Sequence, residues 1–184
     1  MFNKDKTTLI LYPKASPVSE YTVPGTVTAI DSYAFRNCTS LTSLHIGEMV
    51  NNIAPDAFRG CSINLVIDAN NANYYNDGCN VLVNKETNVL LRGFGNTTIP
   101  ASVVAIGDNA FSDCASLKNI KIPDSVVSFG EDVLSGCVSL EIVSLGAGVT
   151  KIPEASFIGH KKLKEIYISA GVSAIGDRAF KNCT

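Results

Sequence analysis

The chain contains no C-x-x-C pair, no glycine-rich phosphate loop, and only two histidines among its 184 residues. The first absence disfavours a zinc ribbon or finger. The second removes nucleotide binding by a phosphate-cradling turn. With His45 on the outward side of a strand pattern and His160 in a periodic inward column, no Ser/His/Asp or Cys/His arrangement is placed in one cleft, so the sequence holds no catalytic constellation. No apolar run approaches the roughly 18 residues of a membrane-spanning helix, and Leu9-Ile10-Leu11 is far too short for a signal core. Fifteen Lys and Arg stand against seventeen Asp and Glu, a balance that argues against nucleic acid as a partner. The Lys151, Lys161, Lys162, Lys164, Arg178 and Lys181 excess near the end reads as a solvated face. Asp68, Asn70, Asn71 and Asn73 offer hard oxygens but lack the glycine and distal glutamate of a calcium loop, so they read as turn formers. No metal and no cofactor is expected.

What the chain does have is a period. Ala34-Phe35, Ala57-Phe58, Ala110-Phe111, Val133-Leu134, Ser156-Phe157 and Ala179-Phe180 recur every 23 residues, except that Phe58 and Phe111 are separated by one period plus thirty. The unit is clearest at Val103 to Ser125. Such a period marks stacked supersecondary units, and L-x-x-L-x-I within it is the spacing of a leucine-rich repeat.

Each column has a physical reading. Ile106, Ala110, Phe111, Cys114 and Leu117 are spaced near a helical turn, which predicts a helical piece of about two turns with these residues inward. Ser32, Pro55, Asp108, Glu131, Glu154 and Asp177 suit its N-cap or first turn. After Leu117 the period changes to two. Ile120 and Ile122 alternate with Asn119 and Lys121, as do Leu44/Ile46, Val143/Leu145 and Ile166/Ile168 elsewhere, predicting one strand per copy with one buried face. Val103 and Ile106, recurring as Val27/Ile30, Val50/Ile53, Val126/Phe129, Val149/Ile152 and Val172/Ile175, supply the return side. Glycines 107, 130 and 176 serve the turn. No unit can bury these columns alone, so the core must form by stacking Phe on Phe and Leu on Leu.

Five of the six cysteines, Cys38, Cys61, Cys114, Cys137 and Cys183, share one inward column, with His160 taking the remaining copy. Free cysteine behaves there as a small core hydrophobe. Stacked neighbours point the same way, which is poor geometry for a bridge, so all six are expected free and Cys79 the most exposed. The sequons at Asn37, Asn96 and Asn182 read as chance, since two overlap this column.

The columns I-P-x-S-V-x-x-I-G-x-x-A-F-x-x-C-x-S-L-x-x-I-x, complete in Ile99 to Ser125, resemble the BspA-like leucine-rich repeats over essentially the whole chain. The resemblance implies an α/β right-handed solenoid with one parallel sheet, short helical turns and β-hairpin insertions. It implies surface-exposed or secreted bacterial proteins associated with adhesion and protein binding, without catalysis or cofactor. It carries no invariant functional residue.

The expected layout is one solenoid over 1–184: a hairpin and Pro/Ser linker (1–21), coils 1–2 (22–67), an inserted hairpin that widens the coil and protrudes (68–98), and coils 3–6 (99–184). Phe2 to Pro13 reads as a hairpin whose second copy is Val83 to Phe94. Both ends fall in mid-repeat, which predicts an excerpt of a longer protein, with exposed apolar surface and end-to-end self-association at the last coil. The leading functional expectation is a protein-binding face made of outward strand positions, chiefly His45, Asn119, Lys121, Ser144, Glu165 and Tyr167, toward a host or matrix protein. A purely structural spacer is the alternative, and an enzyme would need a domain outside this chain.

Overall fold

The structure, a computed structural model, describes residues 1–95 and 97–183. Among the described residues there are sixteen short strands. In chain order the first six are β1 (Thr8–Leu9), β2 (Glu20–Thr22), β3 (Ala29–Ile30), β4 (Ser43–Ile46), β5 (Asn52–Ile53) and β6 (Asn64–Ile67). The insertion supplies β7 (Tyr74–Tyr75), β8 (Val81–Asn84) and β9 (Val89–Gly93). The remainder are β10 (Ala105–Ile106), β11 (Asn119–Lys121), β12 (Ser128–Phe129), β13 (Ile142–Ser144), β14 (Lys151–Ile152), β15 (Glu165–Tyr167) and β16 (Ala174–Ile175). Coils 1 and 2 begin at Val27 and Val50, and coils 3 to 6 at Val103, Val126, Val149 and Val172.

The regular copies pair at the 23-residue register, except that β6 pairs with β4 at an offset of 21 residues. Leu44 pairs with Leu65, Val143 with Ile166, Ile30 with Ile53 and Ile152 with Ile175, all in parallel. Coils 1 to 5 each carry two strands rather than one, because the return side also pairs with its neighbours. The expected single sheet is divided. The outward strands form β2-β4-β6 and β11-β13-β15, separated by the insertion, and the return strands are likewise split. Glu20–Thr22, expected as the end of a linker, is a strand in register with Ser43–His45, so a leading coil precedes coil 1.

No helix forms among the described residues, which corrects the expected helical turns. The reason lies in left-handed positions bracketing these pairs, such as Tyr33 (φ 59°) and Asn37 (φ 55°) in coil 1, two per coil except in coil 2, where Gly60 alone is left-handed. The Asn37 column continues with Gly60, Asp113, Gly136, Gly159 and Asn182, residue types that accept this conformation cheaply. The Phe35 and Asn37 amides donate to Ala57 and Arg59 carbonyls of the next coil, not to their own helix. This third side is therefore a ladder between coils.

The insertion does not protrude. Val81, Leu82, Val83 and Leu90 are buried, and β9 pairs antiparallel with β8 and parallel with β10, so the segment is a modified coil inside the stack. Asn71, fully buried, donates to the Gly47 and Val50 carbonyls and accepts from the Asn73 and Tyr74 amides. Its oxygen is engaged by the turn that sequence analysis favoured over calcium. Asn76 and Asn80 cap the edge of β6 through Leu65 and Ile63 backbone groups. The Gly93 amide donates to the Ala110 carbonyl, which places Gly93 in the phenylalanine slot, where the Phe111 ring lies over it.

The phenylalanine column is consequently not continuous. Tyr12, Phe35 and Phe58 stack at 5.4 and 5.6 Å between centroids, after which Phe58 meets Phe94 edge-on at 6.2 Å. Phe157 and Phe180 stack at 5.2 Å. The core divides accordingly into two clusters, meeting at the insertion.

A second interruption falls between coils 4 and 5. Elsewhere the amide of the residue directly after the return-side pair bridges coils, as from Gly107 to Leu90, Gly130 to Ile106 and Gly176 to Ile152. In coil 5 this position is Pro153, which has no N–H to give. Coils approach so closely here that a Cβ on Gly130 would lie 2.4 Å from the Asp108 nitrogen, and one on Gly176 2.5 Å from the Glu154 nitrogen. A pyrrolidine ring forbids that approach. β12 and β14 belong to different sheets, and coils 4 and 5 stay joined along β13 and β15.

Candidate protein-interaction face

The outward strand positions lie in two ladders. In the first, Thr22, His45 and Val66 stand side by side, flanked by Glu20, Ser43 and Asn64. In the second, Lys121, Ser144 and Tyr167 form one row and Asn119, Ile142 and Glu165 the other. Five of the six expected residues therefore share one sheet, and His45 lies on the other side of the insertion. His45, Asn119, Lys121, Glu165 and Tyr167 are exposed, while Ser144 is half-buried between its neighbours.

Alternation along each strand produces this face. Val143 is buried, and so the side chains of Ile142 and Ser144 must leave on the opposite side of the pleat. Tyr167, 58% exposed, donates its hydroxyl to Glu165 two residues back on the same face. That hydrogen bond and the carboxylate charge raise the phenol's pKa. Beside the ladder, Lys164 and Glu141 pair at 2.7 Å, which raises the ammonium pKa and lowers that of the carboxyl. Ile168, expected on the inward face together with Ile166, is 44% exposed.

The cysteine column has a role that its hydrophobicity does not reveal. Cys61, Cys137 and Cys183 donate from Sγ to the carbonyls of Phe35, Phe111 and Phe157 in the preceding coil, at 2.7, 3.1 and 2.9 Å. Cys114 does the same to Gly93, at 3.3 Å. His160 reproduces the pattern, with Nε2 3.0 Å from the Leu134 carbonyl. A carbonyl only accepts, so the proton is on Nε2. From coil 2 onward the column thus holds a buried donor to the preceding coil, a role that His160 takes in coil 5, whereas Cys38 in coil 1 lies 4.0 Å from the Arg36 carbonyl of its own coil. All six cysteines are free; Cys79 and Cys183 are half-buried. Burial pushes Cys114 up to about 11 and Cys137 up to about 12.

Arg92 was missed by sequence reasoning. It is buried at 2% exposure, donates to the Asn109 and Ser112 carbonyls, and lies 3.7 Å from the Cys114 sulfur. No group of three or more potential metal-ligating His, Cys, Asp or Glu side chains occurs among the described residues. Of the sequons, Asn37 is exposed in its left-handed turn, whereas Asn96 and Thr184 lie outside the described residues.

A triangular stack of parallel 23-residue coils, closed by short strands and turns, defines a leucine-rich-repeat solenoid. The BspA type leucine rich repeat region matches in six copies over residues 12–89 and 91–184, and the chain belongs to that family. Its fold is similar to that of the pneumococcal vaccine antigen PcpA, with 17% identity and a TM-score of 0.64 over 87% of this chain and 47% of that one. A leucine rich cell surface protein from Faecalibacterium prausnitzii is 27% identical, with a TM-score of 0.56 over 91% and 58% of the two chains. The leucine rich repeat protein of T. pallidum is 21% identical, with a TM-score of 0.60 over 100% and 85%. The chain spans about half the length of the first two. No protein of the curated set matches it.

Proposed function

We propose that this repeat region is a non-enzymatic protein-binding segment, displayed at a cell surface or secreted, whose partner docks on the face centred on the β11-β13-β15 ladder. The carrying observation is the row Lys121, Ser144, Tyr167. The inner positions beside it are filled by similar aliphatic residues from coil to coil, while the outer ones differ in charge, size and polarity and are held in register by the backbone. Tyr167 is the expected anchor, since a rigid amphipathic ring desolvates a large area at low entropic cost. The F. prausnitzii relative described as a cell surface protein, and the pneumococcal antigen, support the location.

Size limits the claim usefully. Three strands of three residues, at about 4.8 Å between strands and 3.3 Å along them, cover on the order of 100 Å². A stable interface uses roughly 800 Å² per partner. The footprint must therefore extend past the ladder, over the Glu141–Lys164 pair. That shortfall also favours the spacer alternative, in which the coils only hold another domain at a distance.

A binding screen of the full chain against matrix and cell-surface proteins, repeated with Tyr167→Ala and Lys121→Ala, decides between them. Saturable binding weakened by both substitutions supports the docking face. No binding, or binding unchanged in both variants, leaves the spacer.

A further inference from the structure

We infer that coils 5 and 6 form one rigid piece that swings away from coil 4 about the β13–β15 side, so that the solenoid carries a hinge at this seam. The junctions on either side of it are tied on three sides. Between coils 3 and 4 the Val127 and Gly130 amides donate to Val104 and Ile106 on the return side, and the Asn109, Phe111 and Asp113 amides to Glu131, Val133 and Ser135 on the third side. Between coils 5 and 6 the same bonds run from Ser173 and Gly176 to Thr150 and Ile152, and from Ala155, Phe157 and Gly159 to Asp177, Ala179 and Lys181. Between coils 4 and 5 none of these bonds is present among the described residues. The backbone bonds that do cross lie along β13–β15 and its flanks, from Lys164 and Glu165 to Glu141 and from Leu145 to Tyr167.

Side chains repeat the pattern. Leu134 stands where the neighbouring coils carry phenylalanine, so the Phe157 ring stacks on Phe180 within the moving piece and has no ring to meet in coil 4. On the third side the one side-chain bond across the seam is from His160 Nε2 to the Leu134 carbonyl, at 3.0 Å. Its Nδ1 is buried with no hydrogen-bond partner. An unpaired buried acceptor costs free energy that water returns when the seam opens, so the latch is also a weakness. The Ser169 hydroxyl and the Lys164–Glu141 pair add links on the hinge side alone.

The hinge runs beneath the row Lys121, Ser144, Tyr167, with Ser144 and Tyr167 paired across it. Opening therefore bends this row between those two residues without breaking its register, and bares the facing edges of β12 and β14. The hinge stands whether or not the row binds a partner.

The full chain is pulsed with iodoacetamide under native conditions, and peptide mass spectrometry reads Cys114 and Cys137, buried in coils 3 and 4, Cys137 being the column member directly before His160. Amide exchange of Phe157 and Gly159 is followed in parallel, and every rate is divided by its value in the unfolded chain. Hinge opening bares Cys137 while the bonds of Phe157 and Gly159 to coil 6 stay intact. Cys137 should be reached about a hundredfold more readily than Cys114, as the absence of several ordinary hydrogen bonds implies, and about tenfold more readily than either amide opens. Pro153→Ala restores the donor that Ala54 carries in coil 2, where it bonds Ile30 at 3.0 Å. It should lower the Cys137 ratio about tenfold relative to Cys114, the effect of one hydrogen bond. Equal ratios for the two thiols, amides that exchange as readily as Cys137 is labelled, as fraying from coil 6 would give, or a Cys137 ratio unmoved by Pro153→Ala would each overturn the hinge.

Discussion

The placement of Gly93 in the phenylalanine slot makes a quantitative prediction about Phe111. Its ring is fully buried, and a Cβ built on Gly93 would fall 2.0 Å from Cε1 and 2.5 Å from Cζ of that ring. Phe111→Ala deletes a large core side chain and should cost about 3–5 kcal/mol, transfer and cavity together. Gly93→Ala forces a methyl into the ring and should cost about 1–3 kcal/mol by overpacking. Gly93 does not have a positive φ, so the cost is steric and not conformational. In the double variant the new methyl enters the space the ring has left. The combined loss should then fall short of the sum by about 1–3 kcal/mol, the coupling expected of residues in direct contact. Urea unfolding of the four proteins, followed by hydrogen exchange of the coil 3 amides, measures it. Exchange matters because a stack of coils can open locally. Additivity within about 0.5 kcal/mol would refute the register, since it would mean the ring and Gly93 do not touch.

Cys137→Ser should be milder than Cys137→Ala, because the hydroxyl keeps a donor for the Phe111 carbonyl; the difference should be about 0.5–1.5 kcal/mol by chemical denaturation. Raised thiol pKa values favour the neutral form in the folded state, so their stabilisation is complete below pH 9 and declines as pH rises through the folded values, about 11 for Cys114 and about 12 for Cys137. The denaturation midpoint should fall across that window at roughly 1.4 kcal/mol per pH unit per thiol, and Cys137→Ser should flatten the fall; a pH-independent midpoint would contradict this. Arg92→Ala strands the Asn109 and Ser112 carbonyls and should cost about 3 kcal/mol or more by thermal or urea unfolding, with Arg92→Lys only a partial rescue because the forked donor geometry is lost. Tyr167→Ala, exposed and away from the core, should leave stability within about 0.5 kcal/mol, so any binding loss it causes is not a folding defect.

The period in the sequence determined the solenoid, the buried columns and the outward rows, because a column that repeats every 23 residues can be buried only by its own copies above and below. Tyr21 pairs with Leu44, and Val143 with Ile166, at the 23-residue spacing, and Tyr167 faces outward because strand alternation leaves it no other direction. The helical turns failed because a spacing near 3.6 records which residues point inward, not how the backbone is bonded. Left-handed residues such as Tyr33 and Ala155 carry no compositional signal, and the amides between them found carbonyls in the next coil. The cysteine column was legible as buried but not as a row of donors, since the acceptor is a backbone carbonyl from another coil. Arg92 and Gly93 lie in the insertion, where no repeat exists to assign a column, and only β9 pairing with β10 fixes their slots. Pro153 and Leu134 stood in the sequence as two unremarked exceptions. That they meet at one seam follows from stacking: a missing amide and a missing ring act together only where tertiary structure lays coil 4 against coil 5.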